Sequence, residues 1–290
     1  MRIVSCLPLR PLLALGILGL PPSVGATDLM VEADAGVVHD DNVGRSQRDA
    51  DRESDSVAGA GVRVGRPWRT GHGFATLDVT VRRDQPLDWT DLGRSSLALR
   101  GAWRTAVPGL GPAGFVEVSL ESLLAEHDDS DLRDGVTLAT GLLVGRRLAG
   151  RTVGRAGYRY ERRRGGDAGV FDTDQHRVFL DVDLEWRPDL TLYATGEWRT
   201  GDVVSTATAD PAILAIAEAA ATDEALAVPG RRRVAYRLDG ASALVEAGAN
   251  LAVAPTVALD ASVLYHDTQA RGGNAYHGVI GQVSVLWRWR

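Results

Sequence analysis

The chain has 290 residues, a formal net charge of −6, 33 glycines and a single cysteine. All 32 basic residues are arginine, a bias that a GC-rich genome explains, and the acidic balance argues against nucleic acid as a partner. Cys6 precedes the first apolar run, so the chain beyond it holds no thiol for a disulfide, a cysteine-based metal site or cysteine-based catalysis.

The first 26 residues read as a secretory signal peptide. Met1-Arg2 supplies the positive start, Leu12 to Leu20 the apolar core, and Val24-Gly25-Ala26 a small-residue cleavage site. That apolar run is too short to span a bilayer. Cleavage after Ala26 removes Arg2 and Arg10 and takes the net charge to about −8. Residues 27–290 are then one domain. No later stretch is apolar enough for a transmembrane helix, but a barrel strand needs only about ten alternating residues and escapes a hydropathy scan.

Period-two alternation runs through the whole of that domain. It predicts strands near 28–39, 54–66, 72–84, 93–105, 113–127, 134–148, 151–162, 173–187, 190–201, 235–253, 256–268 and 275–289. These make twelve, an even number, which leaves both termini on the periplasmic side of a single-chain barrel. In 177–187, Val178, Leu180, Val182, Leu184 and Trp186 face one way, and Arg177, Phe179, Asp181, Asp183, Glu185 and Arg187 the other. The fold class expected is all-β: a transmembrane antiparallel up-and-down barrel.

The connections alternate in length as such a barrel requires. Short ones carry Arg66-Pro67, Val107-Pro108, Arg187-Pro188 and Ala254-Pro255, and long polar ones cover 40–53, 85–92, 128–133, 163–172, 202–234 and 269–274. Trp68, Trp103, Trp186, Trp287 and Trp289 fall near the short turns. Trp89, Tyr158, Tyr160, Trp198 and Tyr265 fall near the long loops. Two aromatic girdles at two interfaces follow. A water-soluble β-sandwich leaves them unexplained. In the longest loop, Asp210-Pro211 before an alanine-rich run to Ala221 reads as a capped helix start, lying in the lumen, on the outer leaflet or free.

The last fifteen residues alternate most clearly, with Val279, Gly281, Val283, Val285, Trp287 and Trp289 on one face. This end resembles the closing strand that barrel assembly machinery reads in bacterial outer-membrane barrels, although those most often end in Phe. With His39-Asp40-Asp41-Asn42-Val43-Gly44-Arg45 after the first strand, the chain resembles the porin-like β-barrel proteins of proteobacteria. A similar opening occurs in the barrel part of surface-lipoprotein assembly modifiers, whose preceding helical repeat domain is missing here. The resemblance implies a barrel in the outer membrane, with transport as the presumed role.

An enzymatic barrel is not supported. Outer-membrane phospholipases place a nucleophilic Ser two residues after their His, and none of the six histidines here has that neighbour. His127-Asp128-Asp129-Ser130 puts Ser one position too far. No cofactor and no metal is expected.

Two charge clusters remain. The first loop carries Asp40, Asp41, Asp49, Asp51, Glu53 and Asp55 among Arg45, Arg48 and Arg52, without EF-hand spacing. A solvated loop, bridged by divalent cations to lipopolysaccharide phosphates, accounts for it more simply than a dedicated Ca²⁺ site. The second cluster is a basic arc of Arg155, Arg159, Arg177, Arg199 and Arg237, expected on the lumen side with Arg159 beside Arg177. Placed across the outer vestibule from the acidic loop, such an arc would set up a transverse field. Pairing of the arginines with carboxylates is the simpler alternative. The expected function is a narrow porin-like channel for small polar or charged solutes in contact with outer-membrane lipid and lipopolysaccharide; the alternative is a non-conducting structural or accessory barrel with a filled lumen.

Overall fold

The computed structural model describes residues 29–111, 113–166 and 168–289. The expected signal peptide lies outside them. Twelve strands close on themselves: β1 (Met30–Asp40), β2 (Asp55–Thr70), β3 (Gly73–Pro86), β4 (Arg94–Ala106), β5 (Phe115–His127), β6 (Gly135–Ala149), β7 (Thr152–Gly165), β8 (Thr173–Arg187), β9 (Leu190–Thr208), β11 (Arg233–Ala254), β12 (Val257–Ala270) and β13 (Asn274–Trp289). A thirteenth, β10 (Ala219–Thr222), belongs to the longest connection. Every neighbouring pair is antiparallel. Closure is by β13 on β1, from Val31↔Trp289 to Asp40↔Ile280, so no barrel edge is left unpaired.

Side-chain alternation sorts the two faces as the sequence requires. Val178, Leu180, Leu120, Leu138, Val245, Val263 and Val283 are exposed on the outside, while Asp181 and Asp183 line the interior. A continuous apolar exterior of this extent is stable only against lipid. Trp68, Trp103, Trp186 and Trp289 stand exposed at one end, and Tyr158, Trp198 and Tyr265 at the other. Trp89 does not join them: it packs inward against a cluster of buried loop residues.

Arg66-Pro67 is not a turn. Both residues lie inside β2, which runs on to Thr70, with the turn at Gly71 and His72. Pairing of β2 with β1 ends at Met30↔Gly65, so Pro67 lies beyond the β1 ladder and its missing N–H costs no bond there. The alanine-rich run behaves differently from expectation as well. Asp210 caps only α1 (Pro211–Leu214), accepting from the Ala212 amide at 2.9 Å. Residues Ala219–Thr222 then pair with β11, Ala219↔Arg237 to Thr222↔Val234, on the edge left free above the end of β12. A strand edge awaiting a partner overrides the helix propensity of alanine.

The largest departure concerns β9 and β11. Pairing of β8 with β9 stops at Gln175↔Gly201, and that of β11 with β12 at Gly240↔Ala270, yet β9 and β11 continue together to Thr208↔Arg233. Residues 202–208 and 233–239 thus form a ribbon about 23 Å long beyond the barrel wall, with the short β10 added on the free edge of β11. Gly201 marks the departure, with φ 118° and room for a Cβ denied by the Asp174 carbonyl oxygen at 2.2 Å. Glycine alone fits there without strain.

Candidate functional site

The lumen is built from residues that alternation turns inward, and its charges form chains across strands. One chain links Arg288, Glu32, Arg63, Asp78, Arg100, Glu117 and Arg104 from β13 round to β5; Arg63–Asp78 is 2.8 Å, Arg100–Glu117 2.6 Å and Arg104–Glu117 2.6 Å. A second joins Asp34, Arg82, Asp84 and Arg94, with Arg82–Asp84 at 2.7 Å and Arg94–Asp84 at 2.5 Å. The third runs Glu121, Arg159, Glu161, Arg177, Glu197 and Arg199 from β5 to β9. Its spacings include Arg159–Glu121 at 2.9 Å, Arg159–Glu161 at 3.7 Å and Arg177–Glu161 at 2.7 Å.

Glycines make the longer reaches possible. Asp34 on β1 meets Arg82 on β3 across β2, where Gly59 and Gly61 stand; a Cβ on Gly59 would lie 2.4 Å from Arg82 Nη2. Arg159 on β7 likewise meets Glu121 on β5 across β6, where its register partner is Gly141.

The basic arc is placed as follows. Arg159↔Arg177 and Arg177↔Arg199 are direct register pairs, so the three guanidiniums form one row on β7, β8 and β9. Arg155 lies four residues nearer the periplasm and pairs with Asp183. Arg237 is not in the row. It sits in the ribbon, donating to the Gly169 carbonyl at 3.1 Å and to the Asp172 carbonyl, with Glu218 at 3.5 Å. Arg159 stands midway along β7, so the row lies deep in the lumen and not in an outer vestibule.

The acidic loop does not face that row. Asp40 pairs with Arg45 at 2.5 Å, both buried, and the Asp41 carboxylate accepts from the Val279 amide at 2.9 Å. Burial opposes the Arg45 charge, but Asp40 outweighs it and raises the Arg45 pKa. Asp49 is exposed, 3.7 Å from Arg52. Asp51 and Glu53 hold Arg233 at 3.1 and 2.6 Å, and Asp55 accepts from the amides of Leu87, Asp88 and Trp89. Apart from the exposed Asp49, these carboxylates are held by partners within the protein, which removes the acidic wall that a transverse vestibule field needs.

What they secure is a lid. The ribbon meets segments from every external connection. The Thr206 amide donates to the Gly44 carbonyl at 2.7 Å, and Ser46 Oγ donates to the Thr206 carbonyl at 2.6 Å. Val43, Leu92, Val170, Phe171, Val204, Ala225, Leu226 and Ala235 form a buried apolar cluster on one side of the ribbon. Val203, Ala207, Tyr236 and Leu238 form another, packed by Ile213, Leu214 and Ile216. Ile216 also abuts Gly272 in the last external turn. Arg133 pairs with Asp223 inside this lid and stacks over Phe171, 4.8 Å from the ring centroid. Burial pushes the Arg133 pKa down, against the pull of Asp223.

Beneath the lid a cavity of about 760 Å³ runs the length of the barrel. Its lining reaches from His72, Gly73 and Gly114 at the periplasmic turns to Arg45, Phe171 and Val204 under the lid; Val43, Leu92 and Asp223 lie beyond it. Arg82, Asp84, Arg94, Glu161, Arg133 and Asp223 were not singled out from sequence. For Arg82 and Asp84 a signal existed: two opposite charges two apart on an inward face, opposite Gly59 and Gly61 two apart on the next strand.

No family model matches the chain, and no curated protein does. Among solved structures it is similar to an outer-membrane channel from Pseudomonas putida F1, at 8% identity over 93% of this chain and 100% of that one, with a TM-score of 0.56. It also aligns with the KdgM porin (9% identity, 89% and 99% coverage, TM-score 0.49) and the NanC porin (8%, 89% and 98%, 0.46), whose scores are too low to carry weight. The likeness establishes the fold, a closed antiparallel β-barrel like that of the channel from Pseudomonas putida F1.

Proposed function

We propose that the chain is an outer-membrane channel for small polar or charged solutes, closed at its outer end by the lid seen here. The observation that carries this reading is the cavity running from the periplasmic turns to the underside of the lid, walled by ionised side chains and not filled by them. Delivery would follow cleavage after Ala26 and insertion by the barrel assembly machinery, with lipopolysaccharide covering the exposed outer face. One observation favours the alternative of a non-conducting accessory barrel: both faces of the ribbon are buried, which makes the lid part of the folded core.

Planar-bilayer recording of the purified protein decides between them. Discrete conductance steps are expected, small in the intact protein and larger or more frequent in Asp223→Ala, which loosens the lid. Silence in both proteins, with each shown to be folded by heat-modifiable gel mobility, would overturn the channel reading.

A further inference from the structure

The ion chains are nearly balanced in number along the strands but not across the lumen. Asp and Glu are short and stay near the wall, whereas Arg reaches over them toward the axis. Exposure to the lumen records the difference: Arg100 24% against Asp78 2%, Arg104 23% against Glu117 12%, Arg159 24% against Glu161 7%. Arg63 is likewise more exposed than Asp78, Arg155 than Asp183, Arg177 than Glu161 and Arg199 than Glu197, while Arg94 matches Asp84 and Arg159 matches Glu121. Three pairs reverse the order: Arg45 with Asp40 at the lid, Arg63 with Glu32, and Arg177 with Glu197. Around the cavity, twelve arginines stand against eight carboxylates, because Asp34, Asp40 and Asp84 lie behind Arg82, Arg45 and Arg94 and do not reach the cavity. The chain as a whole is acidic, at −6.

We propose that the lumen selects anions, through a radial layering of its salt bridges with guanidinium toward the axis and carboxylate toward the wall. The passage of anions rests on the channel reading above; their binding in the lumen does not. Each bridge acts as a dipole pointing its positive end at the solute, and the low-dielectric wall of the barrel focuses the sum on the axis. Planar guanidiniums offer paired donors that match carboxylate, sulfonate and phosphate oxygens. The solute class is therefore a small organic anion carrying one or more such groups. An extended row such as Arg159–Arg177–Arg199 suits one with more than one anionic group along its length.

Binding is measured on the whole protein in detergent by equilibrium dialysis against naphthalene-1,5-disulfonate and, separately, against the dication paraquat, which is of similar size. The dianion is expected to bind on the order of tenfold tighter than the dication at low salt, with the preference shrinking as salt is added. Arg104→Gln should reduce the preference and Glu117→Gln should increase it, opposite shifts that a general loss of folding cannot produce. Equal binding of the two probes, a preference for paraquat, or shifts of the same sign in both variants would overturn the proposal. In bilayers the reversal potential under a KCl gradient should have the sign of chloride preference. Absence of conductance would sink the channel reading, while the dialysis result would still decide the charge preference.

Discussion

Arg133 and Asp223, ninety residues apart in sequence, form an ion pair with both side chains buried in the lid, held further by the Thr206 hydroxyl donating to Asp223 at 2.8 Å. Removing one partner of such a pair strands a buried charge and costs about 3–5 kcal/mol, more than any surface bridge. Asp223→Ala should therefore loosen the lid while the barrel wall, hydrogen-bonded independently, persists. Limited proteolysis of the folded protein should show new cleavage within 209–232 and unchanged resistance elsewhere. The double change Arg133→Met with Asp223→Leu should restore much of the protection. Equal resistance of Asp223→Ala and the parent protein would contradict the role given to the pair.

A second expectation concerns the point where the ribbon leaves the wall. Gly201→Ala puts a Cβ against the Asp174 carbonyl at a backbone φ of 118°, a conformation costing about 1–3 kcal/mol for an L residue. Hydrogen exchange should speed up in 202–208 and 233–239. Amides of β2 to β6 should exchange as before. Acceleration spread evenly over the barrel would show that the ribbon is not a separate unit.

Much of this architecture was legible in the sequence, because alternation is imposed by lipid on one side and water on the other. Leu180 and Asp181 could be assigned to opposite faces from their neighbours alone, and the row of Arg159, Arg177 and Arg199 followed from strand pairing across one loop. The lid was not legible. Val203-Val204 and Val234-Ala235-Tyr236 lack alternation because both faces of the ribbon are buried; Val203, Val204 and Val234 lay in a stretch assigned to a loop, and Ala235 and Tyr236 at the very start of the next expected strand. Their uninterrupted apolar character was the available sign. The ion chains were hidden for a different reason: Asp34 to Arg82 and Glu121 to Arg159 each skip a strand, and the glycines that allow it stand on a third segment of sequence.

Facing can be tested on β8. Leu180 is exposed on the apolar exterior, and Asp183 lines the lumen against Arg155. Arg in place of Leu180 should cost about 2–4 kcal/mol of membrane stability, as charge on the lipid face near the midplane does. Asp183→Asn keeps the shape and should fold into lipid vesicles nearly as the parent does. Folding yields read from heat-modifiable mobility should separate the two variants clearly, and similar yields would contradict the orientation of this strand.

The closing strand provides the final test. Residues 282–289 supply eight of the register pairs that β13 makes with β1, from Val38↔Gln282 to Val31↔Trp289, and its pairing with β12 from Ser262↔Gln282 to Val257↔Trp287. Deleting 282–290 would leave the periplasmic halves of β1 and β12 with unpaired N–H and C=O groups at hydrocarbon depth, where each costs several kcal/mol and no water can compensate. The deletion also removes Trp287 and Trp289, of which Trp289 is exposed at the periplasmic girdle. Insertion should fail outright, with no folded fraction that is merely less stable. Pulse-labelling and outer-membrane fractionation of the truncated chain should show it degraded or aggregated in the periplasm. Recovery of heat-modifiable truncated protein in the outer membrane at parent levels would show that closure by β13 on β1 is dispensable.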